Sequence, residues 1–124
     1  VGKALLATHQ SFLPQIGPLL DSGLIKGLAH ITGGGFLENI PRILPEGVSV
    51  EINRGSWPEP PIFGQMQRLG NVSDFEMFRT FNMGIGMVVC VPAARVTEAR
   101  RVLEAEGERV FDIGRVILET DARA

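Results

Sequence analysis

Three consecutive glycines, Gly33, Gly34 and Gly35, stand where a predicted strand ends and a predicted helix begins. Glycine adopts positive φ angles readily and allows a ligand to approach the backbone closely. The first N–H groups of a helix have no partner within the helix and carry a partial positive charge. We therefore predict that residues 27–45 form an anion-binding corner of an enzyme active site, for a phosphate, a carboxylate or another oxyanion.

Polar side chains flank this glycine turn (residues 33–35), and they help to decide between a ligand-binding turn and a purely structural one. A glycine triplet by itself is also typical of a tight strand-to-helix connection, and it matches neither the Walker A motif nor the G-x-G-x-x-G fingerprint. His30 alone would most often be a hydrogen-bonded core histidine. Thr32 offers a hydroxyl, Asn39 an amide and Arg42 a positive charge within an otherwise apolar stretch. This polar set favours a binding function over a bare turn.

A second polar set lies further along the chain, among phenylalanines and methionines that we predict to be core residues. Arg79 and Asn82 precede a Gly-x-Gly turn made by Gly84 and Gly86, which leads into an apolar strand. Arg79 could pair with a carboxylate such as Glu76 or reach a ligand. Both interpretations stay open at this point.

The composition argues against several classes of partner and site. The 12 Lys and Arg residues against 14 Asp and Glu residues give a net charge of −2, so nucleic acid is not expected as the main partner. The single cysteine, Cys90, excludes an intrachain disulfide and is predicted to be a core residue. Neither His9 nor His30 has a cysteine or histidine at metal-ligand spacing, and no apolar run approaches the ~20 residues that span a membrane. We expect a cytoplasmic protein with no metal site and no membrane contact.

Catalytic residues cannot be assigned from these residue types. The sequence has no Ser-His-Asp order, no Cys-His pair and no cluster of acidic residues. We therefore expect that the chain does not hold a whole catalytic apparatus. It begins without a methionine and without a clear first element, which indicates a piece of a longer protein.

Hydrophobic periodicity predicts the elements that position these residues. The predicted order is helix, strand, helix, strand, helix, helix, strand, helix, strand, which favours an α+β domain of mixed α/β layers. Helices are predicted at residues 12–24, 36–44 and 62–69, after Ser73, and between Pro92 and Gly107; strands are predicted at residues 25–32, 48–52, 87–91 and 110–118. Pro18 is expected to interrupt the first helix, and Ser73 with Glu76 forms a capping box for the fourth.

The two polar sets together resemble the C-terminal domain of the phosphoribosylformylglycinamidine cyclo-ligase family, also called AIR synthetase. The pairing of His-Ile-Thr-Gly-Gly-Gly with Arg-Thr-Phe-Asn-x-Gly-Ile-Gly-Met is specific, and the matches cover nearly the whole chain in order. The matching strings are residues 29–36, 38–42, 44–45, 56–57, 70–72, 76–82, 84–87, 107–108 and 113–114. Gln10 stands where the family commonly has Arg, so a ligand contact by that Arg is not carried over.

The resemblance implies the fold of the AIR synthetase C-terminal domain, with a sheet of four or more strands packed with helices in a partly ferredoxin-like arrangement. It implies one domain over residues 1–124, on the substrate side of a two-domain enzyme. The absent N-terminal domain would bind ATP and Mg²⁺ and build a homodimer, and the cleft between the domains would hold formylglycinamidine ribonucleotide. The isolated domain would then be inactive and bind no cofactor. The predicted substrate- or phosphate-binding residues are His30, Thr32, Gly33, Gly34, Gly35, Asn39, Arg42, Arg79, Asn82, Gly84 and Gly86.

Two other readings of the sequence remain. One is the corresponding domain of another ATP-using relative, such as formylglycinamidine ribonucleotide synthetase, selenophosphate synthetase or thiamine-phosphate kinase. The other is a stand-alone module that binds an anion or a nucleotide. The Phe-Asn-x-Gly-Ile-Gly-Met string favours the cyclo-ligase.

Overall fold

A computed structural model describes residues 2–8 and 10–121, which form an α+β domain of helices and small antiparallel sheets. The helices are α1 (Gly2–Leu5), α2 (Leu13–Asp21), α3 (Gly35–Asn39), α4 (Pro61–Gly70), α5 (Asp74–Thr80) and α6 (Val96–Ala105). The strands are β1 (Gly27–His30), β2 (Val48–Ile52), β3 (Met87–Cys90) and β4 (Gly114–Leu118), and 3₁₀ turns lie at Pro41–Ile43, Ala93–Arg95 and Glu119–Asp121. The predicted order from α2 to β4 is confirmed, while α1 was not predicted.

The strands form two separate antiparallel ribbons. β1 pairs with β3, with His30 opposite Met87, and β2 pairs with β4, with Val50 opposite Val116. Within the described residues this differs from the expected sheet of four or more strands, because periodicity reports which face of a strand is buried and not which edge it pairs with. An apolar cavity of about 230 Å³ is lined by residues of both ribbons, from β2, β3 and β4, and by residues of α2 and α6. The partly ferredoxin-like arrangement stays a prediction.

Local signals explain most of the element boundaries. Ser73 is the N-cap of α5, and its Oγ accepts a hydrogen bond from the backbone N–H of Glu76 at 3.3 Å, which is one of the two bonds of the predicted capping box. Contrary to expectation, Pro18 lies inside a continuous α2. β4 begins only at Gly114, four residues later than predicted, where the backbone of β2 lies so close that a Cβ would fall 1.9 Å from the carbonyl oxygen of Glu51.

The buried side chains of the described residues form two clusters. Cluster I lies under the glycine turn and the second polar set, and it consists of Ala29, Ile31, Phe36, Ile40, Trp57, Met77, Met83, Ile85 and Val88. Cluster II joins α2 to α6, and it consists of Ile16, Leu19, Leu24, Ala99 and Leu103. Both predicted site segments therefore stand on the same cluster. None of the described helices is long and apolar enough to cross a bilayer.

Candidate functional site

The glycine turn needs glycine at two of its three positions. Gly34 and Gly35 have φ angles of 99° and 57°, in the region that side-chain-bearing residues rarely adopt. The turn is closed by a hydrogen bond from the N–H of Gly35 to the carbonyl of Thr32, at 2.9 Å. A Cβ on Gly33 would meet no atom within 4 Å, so Gly33 is the open position of the turn.

Asn39 holds the inner side of the glycine turn. Its side chain is buried, and its Nδ2 lies 3.1 Å from the carbonyl oxygen of Thr32, 3.4 Å from that of Gly33 and 3.0 Å from that of Gly35. One amide group with two N–H bonds thus gathers three carbonyl oxygens on the buried side. Asn39 was predicted as a ligand-binding residue, but in the structure its amide N–H groups donate to backbone carbonyls.

Gly35 brings the second polar set onto the glycine turn. A Cβ on Gly35 would lie 2.0 Å from the carbonyl oxygen of Phe78 and 2.9 Å from that of Phe81, both at the end of α5. Only the lack of a side chain lets the α5 backbone approach so closely. The two segments are far apart in the sequence and are therefore brought into direct contact by the fold.

Two arginines from these segments converge on one carboxylate, that of Glu38. Arg42 and Arg79 each place a guanidinium nitrogen 3.9 Å from a Glu38 oxygen, and all three side chains are exposed. The Glu38 carboxylate also lies over Gly34, where a Cβ would fall 2.5 Å from its Oε2. Sequence reasoning missed Glu38 as a site residue. Glu38 stands four residues before Arg42, and this spacing predicts an ion pair on one helical face.

Arg79 also pairs with Glu76, so one of its two open interpretations is confirmed. Its Nη2 lies 3.0 Å from Glu76 Oε2, and its Nε lies 3.3 Å from the same oxygen. The hydrogen bond to Glu76, and then the charge of that carboxylate, raise the pKa of the Arg79 guanidinium. Arg79 is therefore a fixed cation between two carboxylates, those of Glu76 and Glu38.

The turn after α5 is held by its own backbone and side chains. Asn82 Oδ1 accepts a hydrogen bond from the N–H of Gly84 at 2.8 Å, and the carbonyl of Asn82 accepts one from Ile85 at 3.0 Å. Between them Met83 is fully buried and has a φ of 53°, which is unusual for a residue other than glycine. The side-chain oxygen of Asn82 is thus engaged within its own turn.

Close packing explains the other two predicted glycines. A Cβ on Gly84 would lie 2.4 Å from the ring of Pro60, and one on Gly86 would lie 2.5 Å from the ring of Phe12. Gly84 also has a positive φ of 97°. Both positions require glycine because other parts of the chain lie against them, which is a reason unrelated to a ligand.

His30 and Thr32 lie on the exposed side of the end of β1, since residues two apart share a face. The His30 ring is 6.1 Å from the ring of Phe12, the same ring that covers Gly86. The N–H of Ile31 donates to the carbonyl of Gly86 at 2.9 Å. His30 and Gly86 are therefore neighbours at one end of the β1–β3 ribbon, whereas Arg42 and Arg79 meet at Glu38.

Three further residues bear on the sequence predictions. Gln10 donates a hydrogen bond to Glu108, after α6. Burial raises the pKa of the Cys90 thiol, so it is not a ready nucleophile. Among residues 2–8 and 10–121 no group of three or more His, Cys, Asp or Glu side chains could hold a metal ion; His9 lies outside them.

Comparisons with known proteins place these features in a family. Residues 2–123 match the model described as AIR synthase related protein, C-terminal domain. The chain is 51% identical over 112 residues to a phosphoribosylformylglycinamidine cyclo-ligase of Methylobacillus flagellatus, covering 90% of this chain and 32% of the relative. Proteins of the same name from Bacillus subtilis and Bifidobacterium animalis subsp. lactis are 47% and 46% identical, over 94% and 99% of this chain and 34% and 36% of their own lengths. The chain spans about a third of the curated relatives it matches.

Proposed function

Because the chain belongs to the family of AIR synthase related C-terminal domains, we propose that it is the substrate-side domain of a phosphoribosylformylglycinamidine cyclo-ligase. The proposed enzyme uses ATP to activate the amide oxygen of formylglycinamidine ribonucleotide. Transfer of the γ-phosphoryl group to this oxygen releases ADP. Ring closure then forms a carbon–nitrogen bond, breaks the bond from carbon to the phosphorylated oxygen and expels phosphate, which yields aminoimidazole ribonucleotide. The domain by itself is inactive in this proposal, because the ATP-binding domain is a separate part of the enzyme.

The convergence of Arg42 and Arg79 at the glycine turn carries the proposal. Two cations from different segments meet at one exposed corner, and a single carboxylate, that of Glu38, lies between them. A substrate phosphate or a transferring phosphoryl group is an anion of the same kind, with more oxygens to accept charge-assisted hydrogen bonds. The chain's own carboxylate thus marks the position that we assign to a ligand anion.

We assign ATP and Mg²⁺ to the N-terminal domain of the proposed enzyme. Mg²⁺ in such enzymes is held by carboxylates together with substrate phosphates, and the described residues contain no group of three acidic, His or Cys side chains that could hold a metal. The residues of this chain instead bind and orient the substrate. We also propose that the enzyme is a cytoplasmic homodimer that binds neither nucleic acid nor a membrane.

Replacing Arg79 with alanine tests the proposed role of the corner in the complete cyclo-ligase. We expect kcat/KM for formylglycinamidine ribonucleotide to fall at least about tenfold, because a fixed cation at a substrate anion contributes roughly 1.5–3 kcal/mol. Thermal unfolding should change little, because the Arg79 ion pairs are exposed. The measurement is aminoimidazole ribonucleotide formation against substrate concentration.

Arg95→Ala is the matched control for this variant. Arg95 pairs with Glu98 across three residues, and its side chain is half exposed, as that of Arg79 is. It lies before α6, where we assign no substrate contact. Turnover by Arg79→Ala equal to that of Arg95→Ala would contradict the substrate role of the corner, and a large fall in melting temperature would mark Arg79 as structural.

A further inference from the structure

Trp57, the only tryptophan of the chain, stands between the two predicted site segments in the sequence. It is 4% exposed, although it belongs to the irregular loop between β2 and α4. A buried tryptophan combines a large apolar ring with one N–H group that needs an acceptor.

The indole N–H of Trp57 is bonded to the turn that follows α5. Nε1 donates to the carbonyl oxygen of Met83 at 3.0 Å, and the bond is buried. Met83 is the residue held at a φ of 53°, so its peptide geometry depends on surrounding contacts. A carbonyl left without a donor at this depth would be costly. The bond from Trp57 therefore helps to hold the strained centre of the turn.

The indole ring of Trp57 contacts the other segment. Its centroid is 5.7 Å from that of Phe36, the residue directly after the glycine turn, and Phe36 lies 5.7 Å from Phe78 of α5. The guanidinium of Arg54 covers the outer part of this stack, 4.9 Å from the centre of the Phe78 ring. One side chain thus contacts the glycine-turn helix by its ring and the Asn82–Gly84 turn by its N–H.

We propose that Trp57 is a positioning residue that couples the glycine turn to the turn at residues 82–86. It touches no substrate itself, because it is buried beneath both segments. It thereby fixes the distance between the glycine turn and the segment that carries Arg79, which are the two sides of the proposed anion site. This role rests on the proposed function, since only a substrate that spans both segments makes their relative position matter.

The sharpest variant replaces Trp57 in the complete cyclo-ligase with 3-benzothienylalanine, in which sulfur takes the place of the indole N–H. The ring shape is kept and only the donor is lost. Trp57→Phe is the genetically encoded counterpart. Leu103→Val is the control for a general loss of stability, because Leu103 is buried in cluster II, which includes no residue of either site segment.

Amide hydrogen exchange tests the coupling without any turnover. The reporters are Ile85, which donates to Asn82, and Glu38, which donates to the carbonyl of Gly34. We expect both amides to exchange about tenfold faster in the Trp57 variants and at the wild-type rate in Leu103→Val. Unchanged exchange at either amide would overturn the coupling.

Steady-state kinetics separates positioning from a purely structural role. We expect the Trp57 variants to raise KM for formylglycinamidine ribonucleotide about tenfold, with a smaller change in kcat, while Leu103→Val keeps both values at a permissive temperature. Faster exchange with unchanged KM and kcat would overturn the positioning role. A wild-type enzyme that forms no aminoimidazole ribonucleotide would overturn the proposed function instead, and the exchange result would still decide whether Trp57 couples the two turns.

Discussion

At the scale of single residues, the candidate site divides into groups that face solvent and groups that hold the backbone. The exposed charged groups are Glu38, Arg42 and Arg79. Asn39 is the clearest member of the second kind, since it is buried and its amide is shared among three carbonyl oxygens. Arg42, Arg79 and Asn39 were all predicted to bind a ligand. The two arginines are exposed and Asn39 is buried, and this difference separates the ligand-binding role from the backbone-holding role.

Asn39→Asp should give a stability loss that grows with pH. The introduced carboxyl would be buried against carbonyl oxygens, so its folded-state pKa should be raised above the ~3.9 of an unfolded chain. Below the raised pKa the carboxyl is protonated and still donates one hydrogen bond, so the loss of unfolding free energy is smaller there. Above the raised pKa the buried carboxylate has no donor, and the loss should reach about 2–4 kcal/mol near neutral pH. Urea denaturation of the chain at pH 5 and pH 8 measures the difference.

Asn53→Asp provides the comparison for that variant, because Asn53 is exposed and the substitution adds the same charge. It should change stability by less than about 0.5 kcal/mol at both pH values. If Asn39→Asp lost the same free energy at pH 5 as at pH 8, the buried bonds of Asn39 would not be what holds the turn.

At the scale of elements, the contact between α3 and α5 assembles the corner. The two helices have five and seven residues, too few to be stable alone, so each depends on packing against its neighbours. Gly35 is the point of closest approach, and the carbonyl oxygen of Phe78 occupies the space of its missing side chain. Arg79 follows Phe78 directly, so this contact also sets where the second cation of the corner lies.

Gly35→Ala and Gly33→Ala form a matched pair that tests this contact. Gly35 has a positive φ of 57° and a backbone oxygen 2.0 Å from the position of a Cβ, whereas Gly33 has an ordinary φ and open space. We expect Gly35→Ala to lower the free energy of unfolding by about 3 kcal/mol or more, and Gly33→Ala by less than about 1. Chemical denaturation of the two variants checks this, and equal small losses would show that α3 and α5 can separate freely.

At the scale of the whole molecule, the two buried clusters support different parts of the domain. Cluster I supports the glycine turn and α5, whereas cluster II joins α2 to α6. Each contains a side chain with no exposed area, Met77 in cluster I and Leu19 in cluster II. The division implies that damage to cluster I reaches the Arg42–Arg79 corner directly, whereas damage to cluster II acts mainly through stability.

Met77→Ala and Leu19→Ala should therefore differ in activity and agree in stability. Each truncation leaves a cavity and should cost about 2–5 kcal/mol. In the complete enzyme at a temperature where both variants are folded, we expect Met77→Ala to reduce kcat/KM several-fold and Leu19→Ala to retain it. Melting temperature and turnover are the measurements. An equal loss of turnover in both variants would mean that the clusters act as one unit.

Much of this protein follows from its sequence alone. The types and order of the elements, the glycine turn between β1 and α3 and the cap at Ser73 depend on periodicity, on glycine and on groups at most a few residues apart. The family also follows, because its motifs are strings of neighbouring residues, and the match over residues 2–123 confirms it. Each of these features is local in the chain.

The tertiary structure alone decided how those local features combine. It paired the strands as two ribbons, turned Asn39 inward, placed Glu38 between Arg42 and Arg79, and joined Trp57 to Met83 across 26 residues. Sequence patterns report which face of an element is buried but not which partner covers that face or pairs with a strand edge. Contacts between distant segments are set by packing of the whole domain, so the role of each predicted site residue emerged only once its neighbours were in place.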